Sequence, residues 1–164
     1  MLMRKRAWDI MRDDLTIVGE DIGFMELIRA LYRGLEADTD NHIAVIQDAD
    51  GVFKGVVTMW NVMRKLEECV FGDDALMELK DQDWDRAFAL ACRACSAKGI
   101  AGLLETKVPR VQPNDPLITV VADFLRHRRG WSLVCDGDKV LGVIFKADIF
   151  KEVGRDVLAQ MKPR

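Results

Sequence analysis

The chain has 164 residues, 49% of them apolar, and 24 Lys and Arg against 27 Asp and Glu give a net charge of −3. That length suits one ordinary core or two small halves that depend on each other, and the charge balance offers no general attraction to nucleic acid or an anionic membrane. No apolar run reaches the roughly 18–20 residues needed to cross a bilayer, and Met1 to Met11 lacks the apolar stretch of a signal peptide, so a cytoplasmic protein with neither nucleic-acid nor membrane partner is expected.

In chain order, Leu15 to Asp21 is a short β-prone stretch that runs into a helix. The helix carries Phe24, Leu27, Ile28, Leu31 and Tyr32 on one stripe at helical spacing. Asp21 is its expected N-cap and Gly34 its expected stop. A polar loop, Leu35 to His42, follows. Val45 to Leu66 then reads as strand, Asp50-Gly51 turn, strand and helix, a hairpin signal followed by a helical pattern.

Helices are expected at Asp73 to Leu79 and at Trp84 to Ala97, with Gly99 and Gly102 marking the end of this connection. The Cys92-Arg-Ala-Cys95 pair falls on the second of them. Further zinc ligands would have to be His42 or His127, both distant, so no metal site is expected. A cytosolic protein is not expected to hold structural disulfides, and Cys92 and Cys95 read as two half-buried thiols.

The first pattern then recurs. Val108 to Asn114 matches the opening stretch, and Leu117, Val120, Val121, Phe124 and Leu125 repeat the apolar stripe. Asn114 or Asp115 is the expected cap, Pro116 suits the first turn, and Gly130 marks the stop. Val134 to Val153 again reads as strand, Asp136-Gly137 turn, strand and helix. Val111 lies 93 residues after Val18 and Gly142 lies 87 after Gly55. The six-residue excess of the first copy falls mostly in the 35–42 loop, where length is tolerated. Each copy is strand–helix–strand–strand–helix, too small to bury its apolar faces alone, and two copies packed sheet to sheet solve that.

Asp9-Ile-Met-Arg12 at the opening, and the Gly-Val-(Val/Ile)-x-x-x-(Asn/Asp) junction at Gly55–Asn61 and Gly142–Asp148, resemble a tandem pair of cystathionine-β-synthase-type (CBS) domains, a Bateman module. The resemblance covers Ala7 to Glu68 and Gly99 to Val157. It implies an α+β fold of two β-α-β-β-α repeats (7–68 and 99–157) packed sheet to sheet around a pseudo-twofold axis and joined by a helical connector (69–98).

It further implies a regulatory module that binds AMP, ADP, ATP or S-adenosylmethionine in a cleft between the repeats. Such a module needs no cofactor, commonly forms homodimers, and signals to an unknown protein partner in trans. In such sites a Ser/Thr hydroxyl contacts phosphate and an Asp accepts from the ribose diol, a geometry that suits a carboxylate at a helix start.

This sequence departs from the pattern twice, with Asn61 after Thr58 in the first copy and Phe145 before Asp148 in the second. The expected ligand residues are Asp148, Arg110 and Val111 in one cleft, the favoured one, and Ile17, Val18, Thr58 and Asn61 in the other. Each has a plain alternative. Asp148 and Asn61 sit where helix caps belong, Thr58 is ordinary at a strand end, and Arg110 divides evenly between solvent and a ligand phosphate. Trp60 and Trp131 are placed to stack on an adenine, and Trp60, one residue before Asn61, is alternatively placed to fill an empty cleft.

The alternative function is a structural or dimerisation module with degenerate nucleotide clefts. No G-x-S-x-G, P-loop, H-E-x-x-H or G-x-G-x-x-G occurs, so no catalytic residue is assigned and an enzyme is not expected. Redox chemistry at Cys92 and Cys95 is the one enzymatic reading left.

Overall fold

The computed structural model describes residues 4–70 and 83–161. The helix expected at Asp73 to Leu79 lies outside them. The elements are α1 (Ala7–Ile10), β1 (Thr16–Gly19), α2 (Phe24–Ala37), β2 (Ile43–Gln47), β3 (Phe53–Thr58), α3 (Met59–Val70), α4 (Trp84–Ser96), β4 (Arg110–Val111), α5 (Leu117–His127), β5 (Trp131–Asp136), β6 (Lys139–Phe145) and α6 (Lys146–Gln160). They form two three-stranded sheets, β1-β2-β3 and β4-β5-β6, each with its own helices. The fold is α+β, and the two halves repeat the same order.

The chain divides into two compact units. The first holds residues 16–50 and 54–106, and the second holds 1–15, 51–53 and 107–164. In the first unit β1 runs parallel to β2 with Ile17 opposite Val45. Ile43 to Ile46 and Val56 to Thr58 are buried strand residues. Of these, Ala44, Ile46 and Val57 pack with Phe24, Leu27 and Leu31 of the stripe that helical spacing assigns to α2; Ile28 is partly buried against them, while Tyr32 at the edge of the expected stripe is exposed. In the second unit β4 runs parallel to β5, with Val111 opposite Val134, and β5 is antiparallel to β6. Its core joins Val111, Leu117, Val120, Val134, Ile144 and Ile149 to Ala7 of α1.

A segment from the opening of a repeat closes each unit. In the second unit the Arg12 N–H donates to the Val143 carbonyl at 2.8 Å, and the Val143 N–H donates back to Arg12 at 2.9 Å. In the first unit Val56 and Glu105 exchange the same pair of bonds at 2.9 and 2.8 Å. Glu105 lies 93 residues after Arg12, and Val143 lies 87 after Val56, so the two bridges are repeat counterparts. Both pass over a glycine. A Cβ on Gly142 would stand 2.5 Å from the Arg12 carbonyl oxygen, and one on Gly55 would stand 3.0 Å from Leu104 Cβ. These glycines are there for close backbone approach.

Several expected boundaries shift. Gly34 lies inside α2, which runs on to Ala37; a Cβ there would crowd Thr16 Oγ1 at 2.6 Å, so space fixes the residue. Gly23 and Pro116, not Asp21 and Asn114 or Asp115, cap α2 and α5. Both are held extended by bridges, Gly23 to Gly99 and Pro116 to Arg6. Asp115 instead accepts from the Gln112 N–H at 2.8 Å. Gly51 and Gly137 take positive φ in the two hairpin turns, as Asp-Gly turns require.

The cysteine expectation is corrected. Cys95 is not a thiol beside Cys92. It forms a disulfide with Cys69 across a Cα–Cα distance of 6.1 Å, tying α4 to α3. Residues i and i+3 on a helix share a face but need a partner on another element to cross-link, and the packing of α4 on α3 brings Cys69 there. Cys92 and Cys135 remain free thiols. Burial pushes the Cys135 thiol pKa up, with Arg110 opposing.

Two predictions test this core. Gly142→Ala should cost about 1–3 kcal/mol in urea unfolding, the range for overpacking a filled site, and more than Gly55→Ala, whose contacts are looser. Unfolded, unreduced protein should take up iodoacetamide at Cys92 and Cys135 only, and all four cysteines should be labelled after reduction. Uptake of four without reductant would remove the Cys69–Cys95 bond, which by loop closure is worth about 3 kcal/mol.

Candidate functional site

The two strand-to-helix junctions carry the polar groups. In the second unit β6 ends at Phe145, and the Phe145 N–H donates to Asp148 Oδ2 at 3.1 Å. This caps the first turn of α6, the role a carboxylate takes near a helix start. Arg12 reaches the same carboxylate from the bridging segment. Its Nε donates to both oxygens at 3.1 and 3.0 Å, and its Nη2 donates to Oδ1 at 2.8 Å. The two side chains are only 18% and 14% exposed. The Arg12 guanidinium also lies over the Phe145 ring, 5.2 Å from its centroid. The result is a charge-assisted, two-pronged pair in a half-dry setting, the strong form of such contacts.

In the first unit β3 ends at Thr58, and Asn61 occupies the place of Asp148, 87 residues earlier. Asn61 Oδ1 accepts from the Thr58 N–H and from Thr58 Oγ1, both at 2.7 Å. Its Nδ2 donates to Glu105 Oε1 at 3.0 Å. Glu105 is the repeat counterpart of Arg12. The cation–carboxylate pair of one unit therefore becomes an amide–carboxylate pair in the other, with the charge on the bridging segment reversed. An Asp at 61 could not donate to Glu105, and it would set two carboxylates about one hydrogen bond apart. The departure of Asn61 from the family pattern thus has a partner that explains it.

Beside Asn61 lies a polar pocket of about 230 Å³, lined by Arg64, Lys65 and Glu68 of α3 and by Lys98, Gly99, Gly102 and Leu103. Asn61, Arg64, Lys65 and Glu68 share one helical face. Lys65 Nζ is 3.1 Å from Glu68, so three cations face one carboxylate there. Sequence reading did not single out Arg12, Glu105, Arg64, Lys65 or Lys98 as site residues. A signal existed: the repeat offset that carries Val18 to Val111 also carries Arg12 to Glu105, an exchange of sign at one position.

The expected ligand residues divide between the units. Thr58 and Asn61 adjoin each other, while Ile17 and Val18 sit on β1, separated from β3 by the whole of β2. Ile17 is exposed and Val18 packs on the core. In the second unit Val111 is buried in the core. Arg110 sits over the Phe53 ring, 4.2 Å from its centroid, and β5 separates both from β6 and Asp148. Trp131 is buried and Trp60 exposed. Among the described residues, no group of three His, Cys, Asp or Glu is placed to hold a metal, and no helix is long and apolar enough to cross a membrane.

The CBS domain family model matches residues 7–68 and 100–155. No curated protein matches the sequence. Solved structures do. A CBS-domain-containing protein of unknown function from Kribbella flavida superposes with a TM-score of 0.67 at 19% identity, over 92% of this chain and 98% of that one. The CBS domain pair of MJ0100, in complex with 5′-methylthioadenosine and S-adenosylmethionine, gives 0.64 at 17% identity over 93% and 98%. The cytosolic domain of the Mg²⁺ channel MgtE, in complex with ATP, gives 0.64 at 15% identity, over 90% of this chain and 48% of that chain. At these identities the likeness is one of fold.

The charge exchange is testable. Asn61→Asp should destabilise the protein by about 1–3 kcal/mol at neutral pH, the cost of an unsatisfied, like-charged neighbour. Two facing carboxylates raise the pKa of one above its unfolded value, so the loss is present above that raised pKa. It fades as pH falls from that raised pKa toward the ordinary carboxylate range and is gone below about 4. Adding Glu105→Gln should restore stability at neutral pH. Unchanged unfolding curves for Asn61→Asp at pH 7 would remove the pairing from the account.

Proposed function

The chain belongs to the CBS domain family, and from that premise we propose that it is a regulatory module that senses a phosphorylated adenosyl ligand and signals to a separate protein. The observation that carries the reading is the basic pocket against Asn61 in the first unit. There Arg64, Lys65 and Lys98 offer charge to a phosphate. The Thr58 hydroxyl and the Asn61 amide lie at its edge. Glu105 brings a carboxylate to the junction that a family member would supply from the helix, and a ribose diol is the natural donor to it.

Asp148, Arg110 and Val111 form the second candidate. The Arg12 guanidinium already engages both Asp148 oxygens, so a ribose there must share or displace it. The reading therefore weights the first unit over the second. MJ0100 and MgtE, in complexes with adenosyl compounds and ATP, support the ligand class.

A structural module is the second reading, and the Asp148–Arg12 pair favours it, because it holds that junction closed without a ligand. Signalling by the sensor would work by population shift, the ligand stabilising one arrangement that the partner reads. Homodimer formation and a cytoplasmic setting belong to the same proposal.

A thermal-shift series with AMP, ADP, ATP and S-adenosylmethionine separates the two. A ligand at about 100 times its dissociation constant should add about 2.7 kcal/mol, a rise of several degrees. The rise should vanish in Arg64→Ala/Lys98→Ala and persist in Arg110→Ala. No rise with any compound would leave the structural module.

A further inference from the structure

Of its own side chains, α4 buries small ones. Ala87, Ala91 and Cys95 fall at i, i+4 and i+8 on one stripe, while Phe88 and Leu90 of the same helix are 52% and 57% exposed. A buried methyl group contributes little beside a buried Leu or Phe. The covalent anchor of α4 is the Cys69–Cys95 bond, whose half-cystines are 26 residues apart in sequence.

That bond sits at the rim of the basic pocket. Cys69 follows Glu68 on α3, and Cys95 precedes Lys98 by three residues. Glu68 and Lys98 both line the pocket. Cys95 Sγ lies 4.0 Å from the Lys65 carbonyl oxygen, and the Lys98 N–H donates to the Cys95 carbonyl at 3.0 Å. The bond therefore holds Lys98 in one pocket with Arg64 and Lys65, three like charges that repel one another. Cys95 is buried, whereas Cys69 is half-buried and within reach of an entering thiol. In the cytoplasmic setting proposed above, a disulfide is transient or redox-sensing.

We propose that Cys69–Cys95 is a reversible redox site, reduced by low-molecular-weight thiols, and that its opening frees α4 and loosens the basic pocket. A small thiolate attacks Cys69 Sγ, breaks the S–S bond and releases the Cys95 thiolate. A second attacks the mixed disulfide and releases the Cys69 thiolate. The protons of the two small thiols pass to Cys95 and Cys69. Two electrons enter the protein, and the small thiols leave joined as their own disulfide. Cys92, one turn before Cys95, takes no part. Once the bond is open, non-covalent packing alone holds α4, and repulsion moves Lys98 away from Arg64 and Lys65. The release of α4 stands by itself; its effect on ligand binding rests on the proposed function.

The test takes the full chain in its oxidised form and titrates it with reduced glutathione. Alkylation of the folded chain, read by mass spectrometry, should show Cys69 and Cys95 becoming labelled together. Amide hydrogen exchange of α4 should become at least about tenfold faster on reduction, and that of α5 and α6 should stay as it was. Cys69→Ser should exchange fast at any glutathione ratio, and Cys92→Ser should respond as the unsubstituted chain does. The reduced unsubstituted chain, checked by circular dichroism, gives the same comparison if Cys69→Ser fails to fold.

ATP is the ligand probe. Calorimetry should show about tenfold weaker binding to the reduced chain, the loss of one charge-assisted contact. By reciprocity, ATP should protect the bond from glutathione by the same factor. ATP bound by neither form, with α4 still released on reduction, would support the redox site and remove the ligand reading. A bond that excess glutathione leaves closed in the folded chain would overturn the proposal. So would equal α4 exchange in both states, or ATP bound equally by both. Loss of the response in Cys92→Ser would move the chemistry to Cys92 and Cys95 and overturn it as well.

Discussion

Two pairs of main-chain hydrogen bonds, Arg12 with Val143 and Glu105 with Val56, set the rest of the structure. Each attaches the opening of a repeat to the last strand of a sheet and passes over a glycine, where a methyl group would clash with the Arg12 carbonyl at Gly142 and would sit tightly against Leu104 at Gly55. A single inserted carbon at Gly142 would push the segment off its bonding distance, and with it the side chain of Arg12. The repeated spacing of the two Gly-Val motifs within the chain is therefore a backbone requirement before it is a ligand requirement.

Because the bridging segments end beside the strand-to-helix junctions, they bring their own side chains to the polar positions there. One segment delivers a guanidinium, and the helix start answers with a carboxylate that is also its cap. The other delivers a carboxylate, and the helix start answers with an amide that donates to it while its oxygen serves Thr58. Both junctions are satisfied, but they differ in what they can offer. The guanidinium–carboxylate pair is closed on itself, and separating it would strand a partly buried charge. The amide–carboxylate pair leaves net negative charge on the bridge, next to Arg64 and Lys65 of α3 and Lys98 just past the end of α4. A near-symmetric scaffold thus presents two chemically unlike junctions.

The same asymmetry appears in the helices. The Cys69–Cys95 bond and the Ala87–Ala91–Cys95 stripe fix α4 over the first helix pair. A helix of small residues lies close to its neighbours and removes their apolar side chains from water, each worth on the order of 1.5–3 kcal/mol when fully buried. The second pair keeps Leu125 and Phe150 in solvent.

The sequence by itself determined the repeat, the order of strands and helices, the stripes of α2 and α5 apart from the exposed Tyr32 and Leu125, both hairpin turns and the family. These follow from local rules: side-chain period, turn chemistry and the spacing of motifs that adjoin in sequence. Thr58 with Asn61, three residues apart, was legible for the same reason. What only the tertiary structure decided were the partners from far along the chain: Arg12 on Asp148, Glu105 on Asn61, Cys69 on Cys95, and the basic pocket formed by Arg64 and Lys98. Helix caps went the same way, since Gly23 and Pro116 are held extended by bridges that no local pattern announces. Periodicity says which face of an element is buried. It does not say which distant segment arrives at that face, because that contact depends on how the chain crosses from one repeat to the sheet of the other.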